Sequence, residues 1–444
     1  MSFSYSTHRV ADLLRDGVLW VEDGNHGENR PLSDEFCEEG TPFVRPDDLK
    51  FGAVVFSDCD RINEVARRRV RKGIGRGGDI LFTHRATVGR MARVAAEAPE
   101  FVANPGVTVW RVLDRNVLDS NYLYYAMQSK LFMDQVWAEA GNTDTFPYIS
   151  LTQQRGLRIV VPEVKVQRKV GAVLGALDDR IAVLRETNAT LESIAQALFK
   201  SWFVDFDPVR AKQQGLAPVG MDEAISELFP ALFEDSILGS VPQGWHPMPV
   251  YDVASFINGA AYKSFQPNAD CRGRPIIKIA ELKSGVTSQT AYSDAQMPDK
   301  YLIATRDILF AWSGNPDTSI DTFVWAHEPA WLNQHIFRVV PAAPNTRAYV
   351  LQLLKFLRPV FAELARNKQT TGLGHVTVAD LKRLQVAKPS AGLVEGFEDL
   401  VGPIQERSFT NERQALTLAA LRDNLLPRLI SGQLRLPEAE ALAA

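Results

Sequence analysis

The sequence predicts an α+β molecule: two mixed α/β units separated by two long helices packed as an antiparallel coiled-coil spacer. Three observations predict it. Short strand-like runs and helical runs alternate in both halves of the chain. The second half weakly repeats the first. Each repeat is followed by a long stretch with apolar residues at alternating spacings of four and three.

The repeat rests on three matches. "GDILFTHR" (Gly78 to Arg85) matches "RDILFAWS" (Arg306 to Ser313), with Asp79 facing Asp307. "ANPGVTVWRV" matches "LNQHIFRV", which places Arg111 opposite Arg338, and "SLTQQRGLRIVVP" matches "TVADLKRLQVAKP", which places Pro162 opposite Pro389. The last two share an offset of 227 residues and the first differs by one. A period this long means duplicated domains, since solenoid repeats run to about 20–50 residues.

In order, residues 1–162 form the first unit, with strands such as "ILF", "VTVWRV" and "LRIVV" and the helical run "NYLYYAMQSKLFMDQVWAEA". Residues 163–205 form the central spacer helix. Its seam is Val170, Leu174, Leu177, Ile181, Leu184, Asn188, Leu191, Ala195, Leu198 and Trp202, the a and d positions of heptads. Asn188 is its one polar member, where an asparagine can fix register at a cost in stability. Residues 206–244 read as a Pro-punctuated connector with one short helix, "MDEAISELF". Residues 245–389 form the second unit and 390–433 the distal helix. Its seam is Phe397, Val401, Ile404, Ser408, Asn411, Ala415, Leu418, Arg422, Leu425 and Leu429, more polar in its middle. The tail, 434–444, is expected to fray.

With 45% hydrophobic and 23% charged residues over 444, the chain is of globular composition and long enough for two to four domains. The net charge of −4 makes any nucleic-acid surface a local patch. Three scattered cysteines, no apolar run of about 20 residues and no signal-peptide pattern in "MSFSYSTHRVADLL" predict a cytoplasmic protein without a membrane span.

Several chemistries lack their motifs. There is no G-x-x-x-x-G-K-[ST], no Asn-Pro-Pro-aromatic, no G-x-S-x-G and no H-E-x-x-H. "GIGRGG" (Gly73 to Gly78) lies between a basic run and the strand pattern "DILF". A dinucleotide loop needs a strand before it and a helix after it. The glycines therefore read as a turn. His327 and His335 have no carboxylates at ligand spacing and read as structural.

"LDDRIAVLRETNATLESIAQALFKSWFVDFDPVRAK" (Leu177 to Lys212) resembles the central conserved region of type I restriction–modification specificity subunits, and "LRDNLLPRLISGQL" (Leu421 to Leu434) resembles their distal one. "VPQGW" (Val241 to Trp245) and "DGNHGENRP" (Asp23 to Pro31) resemble openings of their target-recognition domains. The helix entries "PEVKVQRKV" and "PSAGLVEGFEDLV" depart from that family's usual pattern. The resemblance implies a non-catalytic DNA-recognition chain. Two target-recognition domains would each read half of a bipartite site in double-stranded DNA, and the helices would set the gap. They would also dock two modification (methyltransferase) subunits that use S-adenosylmethionine for adenine methylation. Restriction subunits that use ATP and Mg2+ would add translocation and cleavage of unmodified DNA. No cofactor is expected on this chain itself.

The candidate DNA contacts begin with Arg67, Arg68, Arg69, Arg71, Lys72 and Arg76, dense enough to neutralise several phosphates or to clamp guanines. The only acids close by in sequence are Glu64 and Asp79. Thr83, His84 and Arg85 end the following strand. In the second unit the candidates are Lys263, Trp312, Ser313, Asn315, Lys368, Gln369, Thr370 and His375. The loop matching the last four contributes Thr143, Thr145 and Tyr148; the family resemblance implies that such a loop approaches DNA. The alternatives are a stand-alone DNA-binding regulator, the specificity part of a single-chain nuclease–methyltransferase, and a coiled-coil adaptor that never touches DNA.

Overall fold

The computed structural model describes residues 6–141, 146–218, 220–343, 345–369 and 373–434. It divides into two units: Met1–Ile181 with Thr417–Ala444, and Ala182–Leu416. Each long helix therefore contributes one part to each unit.

In the first unit a six-stranded sheet runs in the order Leu19–Asp23, Val107–Val112, Ile80–Thr83, Met91–Arg93, Ala53–Val54, Leu49–Lys50. Alternate side chains along a strand face opposite sides. Ile80, Phe82 and Trp110 accordingly point to the helices and pack with Tyr122, Tyr125, Phe132 and the central-helix residues Leu174 and Leu177. Leu81 and Val109 face the other way, onto Phe101 and Val44 of a five-stranded sheet. The unit closes on itself: Ser6–Arg9 pairs antiparallel with Arg158–Val161, the last strand before the central helix.

The second unit repeats this plan with fewer strands. Ala254–Asn258, Ile336–Pro341, Ile308–Ala311 and Asp321–Val324 form the sheet that faces the helices. Ile308, Phe310, Phe337 and Val339 pack with Tyr349 and Phe361. Leu309 and Ile336 face a second sheet through Ile277 and Leu332. His246–Pro249 pairs antiparallel with Gln385–Lys388, the closure seen in the first unit.

The register corrects one match made from sequence. Ile80 sits beside Trp110, and Ile308 beside Val339. Arg338 therefore occupies the rung of Val109, two residues before Arg111. A slip of two leaves a side chain on the same face, which is why both matches look reasonable. Arg111 instead grips Asp79 through two bonds of 2.7 and 2.6 Å. Arg338 donates to the Leu302 carbonyl at 2.7 Å.

The central helix runs Val164–Phe203 and the distal helix Ala391–Ile430, each 40 residues, offset by 227 at both ends. Leu174, Leu177, Ile181 and Leu184 are buried, as are Ala195 and Trp202, and on the distal helix Asn411, Ala415, Leu425 and Leu429. Leu191 and Leu198 are only half-buried. The expected Leu198 seat is taken by Phe199, 1% exposed, whose ring lies 6.0 Å from Phe397 and 5.8 Å from Tyr349. A helix turns 3.6 residues per turn, not 3.5, so a strict heptad drifts and the contact moves on by one residue. Within the second unit Asn188 meets Asn411 while Trp202 meets Phe397, so the helices run antiparallel.

The connector is richer than expected. It holds two short helices, Asp207–Gln213 and Glu223–Glu227, and a hairpin of Phe233–Ser236 with Gly239–Pro242. No helix among the described residues is long and apolar enough to cross a membrane.

Candidate nucleic-acid interface

The basic run begins on the short helix Glu64–Arg69, started by Asn63, whose side chain accepts from the Ala66 amide at 2.9 Å. Its arginines are not bare. Arg67 donates to Glu100 at 2.7 Å, Arg68 to Glu64 at 2.8 Å, and Arg69 holds Glu35 in a fork with one bond of 2.7 Å. Glu64 is the one acid close by in sequence that pairs with these three; the other two carboxylates, Glu100 and Glu35, arrive through the fold from distant positions. The Glu35 carboxyl lies below its usual range, held there by the Arg69 hydrogen bond and by the Leu32 amide.

Arg71, Lys72 and Arg76 differ. All three are exposed, and among the described residues no hydrogen bond or ion pair engages their side chains. The "GIGRGG" stretch is a turn and a two-residue strand, Ile74–Gly75, that leads into Ile80–Thr83, not into a helix. Gly73 and Gly78 have φ of +65° and +86°, where a side chain is strained. Asp79, 1% exposed, anchors the turn by accepting from the Arg76 amide at 2.8 Å.

Beyond that strand, two expected contacts are corrected. Thr83 and His84 are 0% and 2% exposed and cannot reach a groove. The Thr83 hydroxyl donates to the Thr87 and Arg90 carbonyls. His84 Nε2 lies 2.7 Å from the Pro105 carbonyl and Nδ1 lies 3.2 Å from the Gln154 amide nitrogen. Burial lowers the His84 pKa, which keeps the ring neutral, an Nε2–H donor that accepts at Nδ1. Their part is to hold the turn that follows. Arg85 is exposed, forms a bridge with Tyr148, and is followed by Ala86, whose amide donates to the Pro147 carbonyl at 3.0 Å.

The second unit builds the same junction from other residues. Ser313 pairs with His375 where Arg85 pairs with Tyr148. Strand end and loop, far apart in each repeat's sequence, thus converge. Trp312 donates to the Asn258 side chain at 3.0 Å and stacks on His335, ring centres 5.6 Å apart. Asn315 accepts from the amides of Asp317 and Thr318 at 3.0 and 3.1 Å, which makes it a turn-former. Lys368 is bound to the buried Asp380. Burial alone would raise that carboxyl; hydrogen bonds from Lys368 and Thr377 and the Lys368 charge outweigh it and hold the pKa at about 2. Lys368 thereby helps hold the fold, with about a third of its side chain still exposed (34%). Lys263 and Gln369 are exposed. Thr143, Thr145 and Thr370 lie outside the described residues.

Phe146, 70% exposed two residues before Tyr148, is not among the contacts expected from sequence. An aromatic in the polar stretch "TDTFPY" is the signal that marks it. Nor is Gln154, fully buried, which ties His84 to the Thr108 hydroxyl. Nothing in its sequence setting distinguishes Gln154 from a surface glutamine.

The sequence profile of the family described as type I restriction modification DNA specificity domain matches residues 24–193 and 242–392. The chain is 25% identical over 413 residues to the type I restriction enzyme MjaIX specificity subunit of Methanocaldococcus jannaschii, covering 91% of this chain and 89% of that one. It is 25% identical over 471 residues to the HindI specificity subunit of Haemophilus influenzae, covering 94% and 99%. Among solved structures, the S subunit of a type I restriction-modification system from M. genitalium superposes with a TM-score of 0.51 at 15% identity, covering 96% of both chains. That last likeness concerns the fold.

Proposed function

The chain belongs to the type I restriction–modification DNA specificity family, whose members are non-catalytic DNA-recognition subunits, and from this premise we propose how it reads DNA. Each unit reads one half of a bipartite, asymmetric site in double-stranded DNA. The duplicated junction carries the reading: Arg85 beside Tyr148 in one unit, Ser313 beside His375 in the other. Equivalent scaffolds with different side chains are what two different half-sites require. Arginine can clamp guanine O6 and N7, whereas Ser and His offer single hydrogen bonds. Arg71, Lys72 and Arg76 meet phosphates beside the first junction, a contact that positions without specifying.

The paired long helices set the gap between half-sites. They also dock modification subunits, two in number, that bring S-adenosylmethionine and methylate adenine. With restriction subunits using ATP and Mg2+, unmodified DNA is translocated and cut. The setting is the cytoplasm. What supports this reading is family membership together with a duplicated fold on a stiff helix pair, since flexible linkers would blur a fixed separation.

Genome-wide mapping of methylated adenine, in cells with and without the chain, tests the proposal. Loss of one bipartite motif on deletion is the expected result. Unchanged methylation, or tight specific binding by the chain with no large partner recovered, would point to the stand-alone regulator.

A further inference from the structure

We propose that a polar pair on the helix seam, the half-buried Asn188 with the buried Asn411, is the positioning device that locks the helix register and so the gap at which DNA is read; this rests on the reading above. Asn188 Nδ2 donates to the Ser408 carbonyl at 3.0 Å, and Asn411 Nδ2 donates to Asn188 Oδ1 at 2.9 Å. Asn411 is 1% exposed. Both lie on seam positions otherwise filled largely by aliphatic side chains.

The repeat shows why the pair is unusual. At the 227-residue offset Asn188 maps onto Ala415 and Asn411 onto Leu184, both buried and apolar. An antiparallel pair of related helices has an approximate two-fold relation, so the seam offers this contact twice. It is polar once and apolar once. The packing does not need amides there, since the counterpart rung does without them.

Amides instead discriminate between registers. A slip of one heptad keeps the aliphatic seam in step, so apolar packing alone resists it weakly. The same slip sets Asn188 against Ile404 or Leu418 and Asn411 against Ile181 or Ala195. A buried amide and a half-buried one would then lose their partners, which disfavours the slipped state about 100-fold. In the first unit a second pair acts in the same sense. Arg422 donates to Asp178 at 2.6 Å, and Tyr125 donates to the same carboxylate at 2.6 Å. The slip would set Asp178 against Ala415 or Leu429. Seven residues of helix are about 10 Å, the length of about three base pairs.

The test gives each asparagine the residue of its own repeat counterpart, as the double variant N188A/N411L. The full chain is assembled with its modification subunits. Methyl transfer is measured on duplexes carrying both half-sites with the gap native, or lengthened or shortened by three base pairs. The wild type should prefer the native gap by about 100-fold or more, and the double variant by less than about 10-fold, with an equal or higher melting temperature. The single variant N411L, which strands Asn188, should lower the melting temperature and is the control for folding. A double variant that keeps the wild-type gap preference overturns the inference while leaving the reading of DNA intact. A wild type indifferent to the gap overturns the reading itself, and the inference with it.

Discussion

Arg71, Lys72 and Arg76 stand in water, whereas Arg67, Arg68 and Arg69 are bound to carboxylates. A phosphate must compete with Glu100, Glu64 and Glu35 for the second group but not for the first. Replacing Arg71, Lys72 and Arg76 together by alanine should therefore weaken DNA binding for all sequences alike. It should also flatten the slope of log K against log salt by about 2–3, at ~0.9 per contact. Replacing Arg67, Arg68 and Arg69 should change that slope by less and stability by more. Titrations at several salt concentrations separate the two. Equal slopes for both triple variants would contradict the assignment. Protons act at the same scale. Burial lowers the pKa values of His26, His84 and His327 below the ordinary value near 6.5. The unfolded chain then binds more protons than the folded one between those values. Stability should be whole above about pH 6.5 and fall as the pH drops toward the folded values. Urea midpoints at pH 7.5 and 5.5 check the sign.

At the scale of elements, the long helices and the strand Arg158–Val161 were legible because their signals are local, whereas the strands that pair to close each unit, Ser6–Arg9 and His246–Pro249, were not. Proline and the switch in hydrophobic period mark where both 40-residue helices begin, and the observed starts, Val164 and Ala391, keep the repeat's offset. What was not legible depends on partners in space. Phe199 displaces Leu198 from the seam because the contact drifts with the true helical pitch and because Tyr349 and Phe356 supply a cavity wall for a ring. Phe199→Ala should cost about 3–5 kcal/mol and Leu198→Ala distinctly less, read from denaturant midpoints. The ion pairs of the basic run, the burial of Thr83 and His84, and the commitment of Lys368 to Asp380 were hidden for the same reason. Glu100 and Glu35 reach the basic run, and Gln154 reaches His84, from more than 30 residues away, and no local pattern announces Asp380 as the partner of Lys368. The junction residues Arg85, Tyr148, Ser313 and His375 could be named from sequence, but not that each pair meets.

At the scale of the whole molecule, the account joins two readers to one ruler. Inserting one heptad into both long helices should lengthen the preferred gap and leave both half-sites unchanged; a preferred gap that stays put would deny the helices that part. The central claim is narrower: two equivalent junctions read two different half-sites. It is tested most directly by mapping methylated adenine genome-wide in cells carrying the wild-type chain and in cells carrying the double variant Ser313→Ala, His375→Ala. The account predicts a bipartite motif in the first case. In the second it predicts the same gap, with sequence preference relaxed in one half and intact in the other. Relaxation of both halves, or of neither, would contradict it.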